Sequence, residues 1–225
     1  MARHKDKELG QELFESVRQI SERSAGPVTF AEDVSRLVEL ERQRVSELRK
    51  MKKFRFQLFH RWLVERFEPC RVADIAGGKG LLTYLLQKSG WEAVVIDPVS
   101  QLLPGKYKDI VTGKRVRIAP TERVQRIDGA FEVDMARHFD MLVGMHAHGC
   151  NVKVIDAAAE FGCGFVLFPC CVIDEPFYPP LGVHWLESLA DYAVRKGIAV
   201  YPFRLNFKGQ NIGLCAVGER QRLAF

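Results

Sequence analysis

The segment Val72-Ala-Asp-Ile-Ala-Gly-Gly-Lys-Gly80 constrains this chain more than any other. A short apolar run, Arg71–Ile75, contains an acid and leads straight into glycines. The helical pattern Leu81–Lys88 follows at once and is stopped by Gly90. Glycines at such a turn accept positive φ and let the backbone approach a ligand closely. A strand that hands such a loop to a helix opens an α/β layer, and ligands of these layers gather at the carboxyl ends of the strands. The alternation then continues. Ala93–Ile96 reads as a second strand ending at Asp97-Pro98, Val124–Ile127 as a third, Met141–Met145 as a fourth and Phe165–Phe168 as a fifth. Val152–Glu160 is the helix between the last two. Trp185–Lys196 is a further helix, and Ile198–Phe207 pairs with Ile212–Val217 around the turn at 208–211. The pattern predicts an α/β fold: a doubly wound, mostly parallel, seven-stranded sheet closed by a C-terminal antiparallel hairpin.

The first 66 residues differ. Leu9, Leu13, Phe14, Val17 and Ile20 follow a helical spacing, broken at Ser24-Ala-Gly-Pro27. Thr29 to Glu32 fits a capping box, and a helical stripe runs on from Val34 to Trp62. With a boundary near Glu68-Pro69, residues 1–66 read as a helical extension and 67–225 as the sheet-bearing domain. Of the 225 residues 47% are hydrophobic, which is enough for a packed core. No apolar run approaches the ~20 residues that span a bilayer, and Met1–Glu15 lacks the apolar centre of a secretory signal. The six cysteines include the adjacent pair Cys170 and Cys171 and resemble no disulfide scaffold. Reduced thiols and a cytoplasmic location are expected.

Charge is segregated. Residues 42–66 carry nine Lys/Arg against two Asp/Glu, and residues 104–126 seven against two. With a net charge of +5, the remainder of the chain is therefore negative. Such segregation points to a polyanionic partner, expected to be structured RNA, or equally to two solvated faces. In the first stretch aromatics interleave the cations: Phe54, Phe56, Phe59 and Trp62. That pattern serves stacked bases, or equally a helix that packs its rings inward and spreads its cations outward.

The glycine loop selects a ligand class. A dinucleotide fingerprint needs G-x-G-x-x-G/A at a helix N-terminus that meets a pyrophosphate. Here Gly78-Lys-Gly80-Leu-Leu-Thr83 breaks it at Thr83, and Asp74, just before the loop, would repel a phosphate. A cofactor with an ammonium group, a sulfonium and a free ribose fits these charges better. Val72–Gly80 resembles the first motif of the class I S-adenosylmethionine-dependent methyltransferases, strand-Asp-x-Gly-x-Gly-x-Gly, with Ala76 in place of the first glycine. The resemblance implies that Asp74, Ala76, Gly77, Gly78 and Gly80 hold the methionine end of S-adenosylmethionine. It likewise assigns the ribose to Asp97 with Pro98, and the adenine to Asp128 with Gly129.

The carboxyl ends of strands four and five then flank the transferable methyl. They carry Met145-His-Ala-His-Gly-Cys150 and Phe168-Pro-Cys-Cys-Val172. This is similar to a methyltransferase subgroup containing tRNA 2′-O-methyltransferases, with a His-x-x-Gly turn after strand four and a Cys-Cys pair after strand five. The subgroup's cysteine after the histidine is replaced by His148, and its histidine after the cysteine pair is absent. His146, His148, Cys170 and Cys171 are the expected reaction residues, and His146 is expected to contact the cofactor too. The cysteines read as pocket wall, as zinc ligands together with His146, His148 and Cys150, or as a nucleophile. No C-x2-C spacing supports zinc, and no metal is expected. Methyl transfer to RNA, either tRNA or rRNA, is the function expected. A protein or small-molecule methyltransferase, and an inactive cofactor-binding scaffold of a ribonucleoprotein, are the alternatives.

Overall fold

A computed structural model of the protein describes residues 2–23 and 54–224. Helices α1 (Ala2–Glu22) and α2 (Arg55–Val64) come first, then β1 (Arg71–Ile75), α3 (Leu81–Lys88) and β2 (Glu92–Ile96). Strands β3 (Lys106–Lys108), β4 (Arg115–Arg117) and β5 (Gln125–Ile127) follow, with a short 3-10 helix at Val133–His138. The chain continues through β6 (Met141–Met145), α4 (Asn151–Phe161), β7 (Gly164–Phe168), α5 (Trp185–Arg195), β8 (Tyr201–Arg204) and β9 (Ile212–Ala216).

The sheet has seven strands in the order β5-β2-β1-β6-β7-β9-β8. The first five are parallel, β9 runs antiparallel to β7, and β8 antiparallel to β9. The fold is the α/β class read from the sequence. The long apolar stretch from Ile198 to Phe207 yields only four strand residues, because Ile198 is held by the end of α5 through its N–H to the Ala193 carbonyl. Within the basic stretch 104–126 lies the antiparallel hairpin β3–β4, which is not among the strands read from the sequence.

Both faces of the sheet are covered, so the central strands β6 and β7 are buried at every position. Alternate residues serve opposite cores. Ala73, Leu142, Phe165 and Leu167 pack with α4 and α5, whereas Val72, Val143, Val166 and Phe168 pack with α2 and α3. Helix α2 inserts Phe59 and Trp62 into the second core. The Trp62 ring stacks on Phe203 at 4.0 Å, and Phe59 meets Phe168 edge-on at 5.1 Å. These two aromatics of the stretch 42–66 are therefore core residues, the inward-packed arrangement. Helix α1 lies along α5 and β8, with Val17 buried. Ser16 bonds the Glu187 carboxylate, and the Arg204 guanidinium bonds the Gly10 carbonyl and sits over the Phe14 ring at 5.2 Å. The expected break at 24–27, the capping box at 29–32 and the stripe from 34 to 51 lie outside the described residues. Among those described, no helix is long and apolar enough to cross a membrane.

Candidate active site

The strand order reverses its direction of growth between β1 and β6, and a crevice opens at the carboxyl edge at such a point. The expected site residues converge on this edge, from the ends of β1, β2, β5, β6 and β7.

Asp74, on β1, is 2% exposed, and its Oδ2 accepts the Thr83 hydroxyl at 2.8 Å. Burial pushes its carboxyl up to about 6, against the opposing pull of the Thr83 hydrogen bonds. The loop that covers it is glycine by necessity. A Cβ at Gly77 would stand 2.6 Å from Asp74 Oδ2. At Gly80 the backbone is left-handed, φ 73°, and a Cβ would stand 2.9 Å from Val124. Ala76 also has positive φ, 52°, and its N–H donates to the Ile96 carbonyl at 2.8 Å, which fixes the loop to the end of β2.

Asp97 is buried at the end of β2. It accepts the Gly78 N–H at 2.9 Å on Oδ2 and the Val99 N–H at 2.8 Å on Oδ1. Each oxygen keeps a further lone-pair direction for an external hydroxyl. Pro98 is exposed beside it. Gly129 donates its N–H to the Asp97 carbonyl at 3.2 Å, so the β5 end is tied to the β2 end, with Asp128 exposed between them. Arg126, counted in the sequence only as part of a basic stretch, holds this corner together. Its Nη1 donates to the Gly78 carbonyl at 2.8 Å and its Nη2 to the Val99 carbonyl at 3.0 Å, and Nε meets Asp128 at 3.3 Å.

The second half of the edge is equally fixed. His146 leaves β6 with φ 62°, and its N–H donates to the Phe168 carbonyl at 3.1 Å. Gly149 has φ 67°, and a Cβ there would touch Asp174 at 2.9 Å. Glu175, which the sequence did not single out, is buried at the N-terminus of α4. It accepts the N–H groups of Asn151 at 2.9 Å and Val152 at 3.1 Å. A carboxylate there satisfies otherwise orphaned donors and suits the helix dipole. The loops after β6 and β7 are thereby locked together.

Between them three side chains meet. Cys171 Sγ lies 2.9 Å from His148 Nδ1, Cys170 Sγ 3.7 Å from His148 Nε2, and the two sulfurs 3.7 Å apart. His148 and Cys170 are exposed and Cys171 is half-buried. All six cysteines are unbridged. Cys150 stands apart at the N-terminus of α4, where burial pushes its thiol up.

No known family's sequence profile matches the chain. Among curated proteins it is 30% identical to a probable tRNA (uracil-O(2)-)-methyltransferase of Caenorhabditis briggsae, over 46% of this chain and 18% of that one. The same identity and shares hold for the Caenorhabditis elegans protein of that name. The chain thus matches less than a fifth of these relatives' length. Among solved structures it is similar to a calicheamicin-biosynthesis methyltransferase with bound S-adenosylhomocysteine: TM-score 0.42, 14% identity, 92% of this chain and 68% of that one. A second is the Burkholderia thailandensis 1,6-didemethyltoxoflavin-N1-methyltransferase: TM-score 0.40, 15% identity, 85% and 91%.

Proposed function

We propose that this chain, which has the class I S-adenosylmethionine-dependent methyltransferase fold, transfers a methyl group from S-adenosylmethionine to RNA. The observation that carries the reading is the pair of buried carboxylates at neighbouring strand ends, Asp74 under the glycine loop and Asp97 beside it. Two anions at this corner disfavour a pyrophosphate and suit an ammonium group and a ribose. Asp74 and the loop Ala76–Gly80 hold the amino-acid end, Asp97 with Pro98 the ribose hydroxyls, and Asp128 with Gly129 the adenine edge. When bound, the cofactor supplies a methyl group on a sulfonium, already a good leaving group, so positioning supplies much of the rate. His146 borders both cofactor and acceptor. An acceptor hydroxyl or amine must also shed a proton. The cluster of His148, Cys170 and Cys171 stands at the rim where that proton leaves.

The RNA assignment is supported by the hairpin β3–β4. Its register sets Lys106 opposite Arg117 and Lys108 opposite Arg115. All four are exposed, while Tyr107 turns the other way, 6.5 Å from Tyr84. Like charges directly opposite destabilise a ladder, and a phosphate backbone laid over them removes that repulsion. The names of the two curated relatives point to the same substrate class.

Incubation with methyl-labelled cofactor and separate fractions of total RNA and total protein tests the reading. Label is expected in RNA. Label in protein instead would make it a protein methyltransferase, and cofactor binding with transfer to neither fraction would favour a scaffold. Asp97→Ala is expected to weaken cofactor binding by about 1–3 kcal/mol, the cost of stripping bonded hydroxyls of a charged acceptor. Unchanged calorimetric affinity would remove Asp97 from the ribose site.

A further inference from the structure

We propose that His148, Cys170 and Cys171 form a binding site for a zinc ion at the rim of the candidate active site, with its fourth position open. Adjacent residues of an extended chain point to opposite sides, yet the Cys170 and Cys171 sulfurs converge to 3.7 Å. A tetrahedral zinc with Zn–S of about 2.3 Å and Zn–N of about 2.0–2.1 Å sets its sulfurs about 3.8 Å apart and each sulfur about 3.6 Å from the nitrogen. The observed sulfur–sulfur distance of 3.7 Å and Cys170 Sγ to His148 Nε2 distance of 3.7 Å lie on those edges. All three donor atoms lie within 4.8 Å of one another. With Nε2 as the histidine ligand, Cys171 Sγ, 2.9 Å from His148 Nδ1, has to turn from that nitrogen toward the ion as it enters.

The donor set selects the metal. Two thiolates and an imidazole are soft and borderline ligands, suited to zinc and unsuited to magnesium or calcium, which take oxygen. Three protein ligands with a vacant fourth position are the arrangement of reactive rather than structural zinc sites. The rim is solvent-accessible, so an ion has a path in, and the loops that carry the ligands are pinned by Glu175 and by the Gly149–Asp174 contact. Rigid support of this kind keeps the ligands oriented. An acceptor hydroxyl bound at the fourth position would release its proton to solvent more readily, because the ion stabilises the oxyanion. This catalytic consequence rests on the methyltransferase reading; the metal site itself does not.

The test is metal content by mass spectrometry on the full chain, reconstituted with zinc under reducing conditions and desalted. Cobalt substitution read by thiolate-to-metal charge-transfer absorption gives a second readout. One equivalent per chain is expected, falling at least about tenfold in the Cys170→Ser/Cys171→Ser double variant and in His148→Ala. Because the cluster is at the surface, the variants should keep the wild-type far-ultraviolet dichroism. A reconstituted wild-type chain that retains no zinc and gives no cobalt–thiolate band would overturn the proposal, as would metal that survives the double substitution. Metal bound without any methyl transfer would sink the proposed function and leave the site standing. Transfer to RNA by a reconstituted chain that retains no zinc would do the reverse.

Discussion

Asp74 is a carboxylate sealed from water and satisfied by the Thr83 hydroxyl and backbone N–H, and its titration is therefore a probe of the pocket. In the folded chain it titrates near 6, above its unfolded value of 3.8. Between those values the folded state holds a proton that the unfolded chain has released, so stability falls as pH rises through the window and is level above it. With Asp74 at the amino-acid end of the cofactor, as proposed, binding is expected to run the opposite way, because an ammonium group favours the ionised carboxylate. Affinity is expected to weaken as pH drops below 6, by up to about tenfold per unit. Titration calorimetry from pH 5 to 7 reads this, and Asp74→Asn should flatten the dependence. Thr83→Val removes the hydroxyl and is expected to cost about 1–3 kcal/mol at neutral pH, seen in chemical denaturation. An unchanged midpoint would mean that water replaces the hydroxyl. Asp74 and its glycines were legible in the sequence because tight, positive-φ turns demand that residue type. Thr83 was visible only as a flaw in a dinucleotide motif, since a single sequence does not show which group a hydroxyl meets. Arg126 was hidden within bulk charge, and Glu175 carried no local signal because its partners lie more than 20 residues away.

The helices and long strands after Pro69 announced themselves through periodicity, and their ends moved by no more than a residue except at β8, which lost three at each end. Helix α5 starts with a capping box: His184 Nδ1 accepts the Leu186 N–H at 3.1 Å, and the Glu187 carboxylate accepts the His184 N–H at 2.8 Å. His184→Ala is expected to cost about 1 kcal/mol, measured as a lowered denaturation midpoint. Burial lowers the His184 pKa, so its contribution is present above the unfolded value and lost as pH falls through the folded one. Protonation also removes the lone pair that caps the helix. The midpoint difference between wild type and His184→Ala should therefore shrink in mildly acid buffer. The hairpin β3–β4 escaped notice because each strand is three residues long, too short for alternation to stand out from the charge around it. Its facing cations carry a prediction of two signs. Arg115→Glu, opposite Lys108, should raise the melting temperature slightly, gaining about 0.2–1 kcal/mol from the repaired pair. The same change should weaken RNA binding. A loss of stability would show that the hairpin's cations are not in conflict.

Across the whole molecule, the hairpin β3–β4 presents four exposed cations, while buried acids stand at the carboxyl ends of β1 and β2. Its affinity for structured RNA should fall steeply with salt. Reversal of Lys106, Lys108, Arg115 and Arg117 together should make the log–log slope shallower by about 3–4, close to one unit for each phosphate that is no longer neutralised. An unaltered slope would move the RNA surface away from the hairpin. The sheet was readable at this scale because strands and helices alternate so regularly after Pro69. The meeting of His148 with Cys170 and Cys171 was not, because convergence of two loop ends depends on the path of both. The strand order has a further consequence for how the molecule comes into being. The strand β9 lies between β7 and β8, so β8 cannot join the sheet until residues 212–216 exist. Helix α1 in turn docks on α5 and β8. On the ribosome, α1 is made well before residues 212–216, and its apolar stripe of Leu13, Phe14 and Val17 stays open to chaperones until they follow.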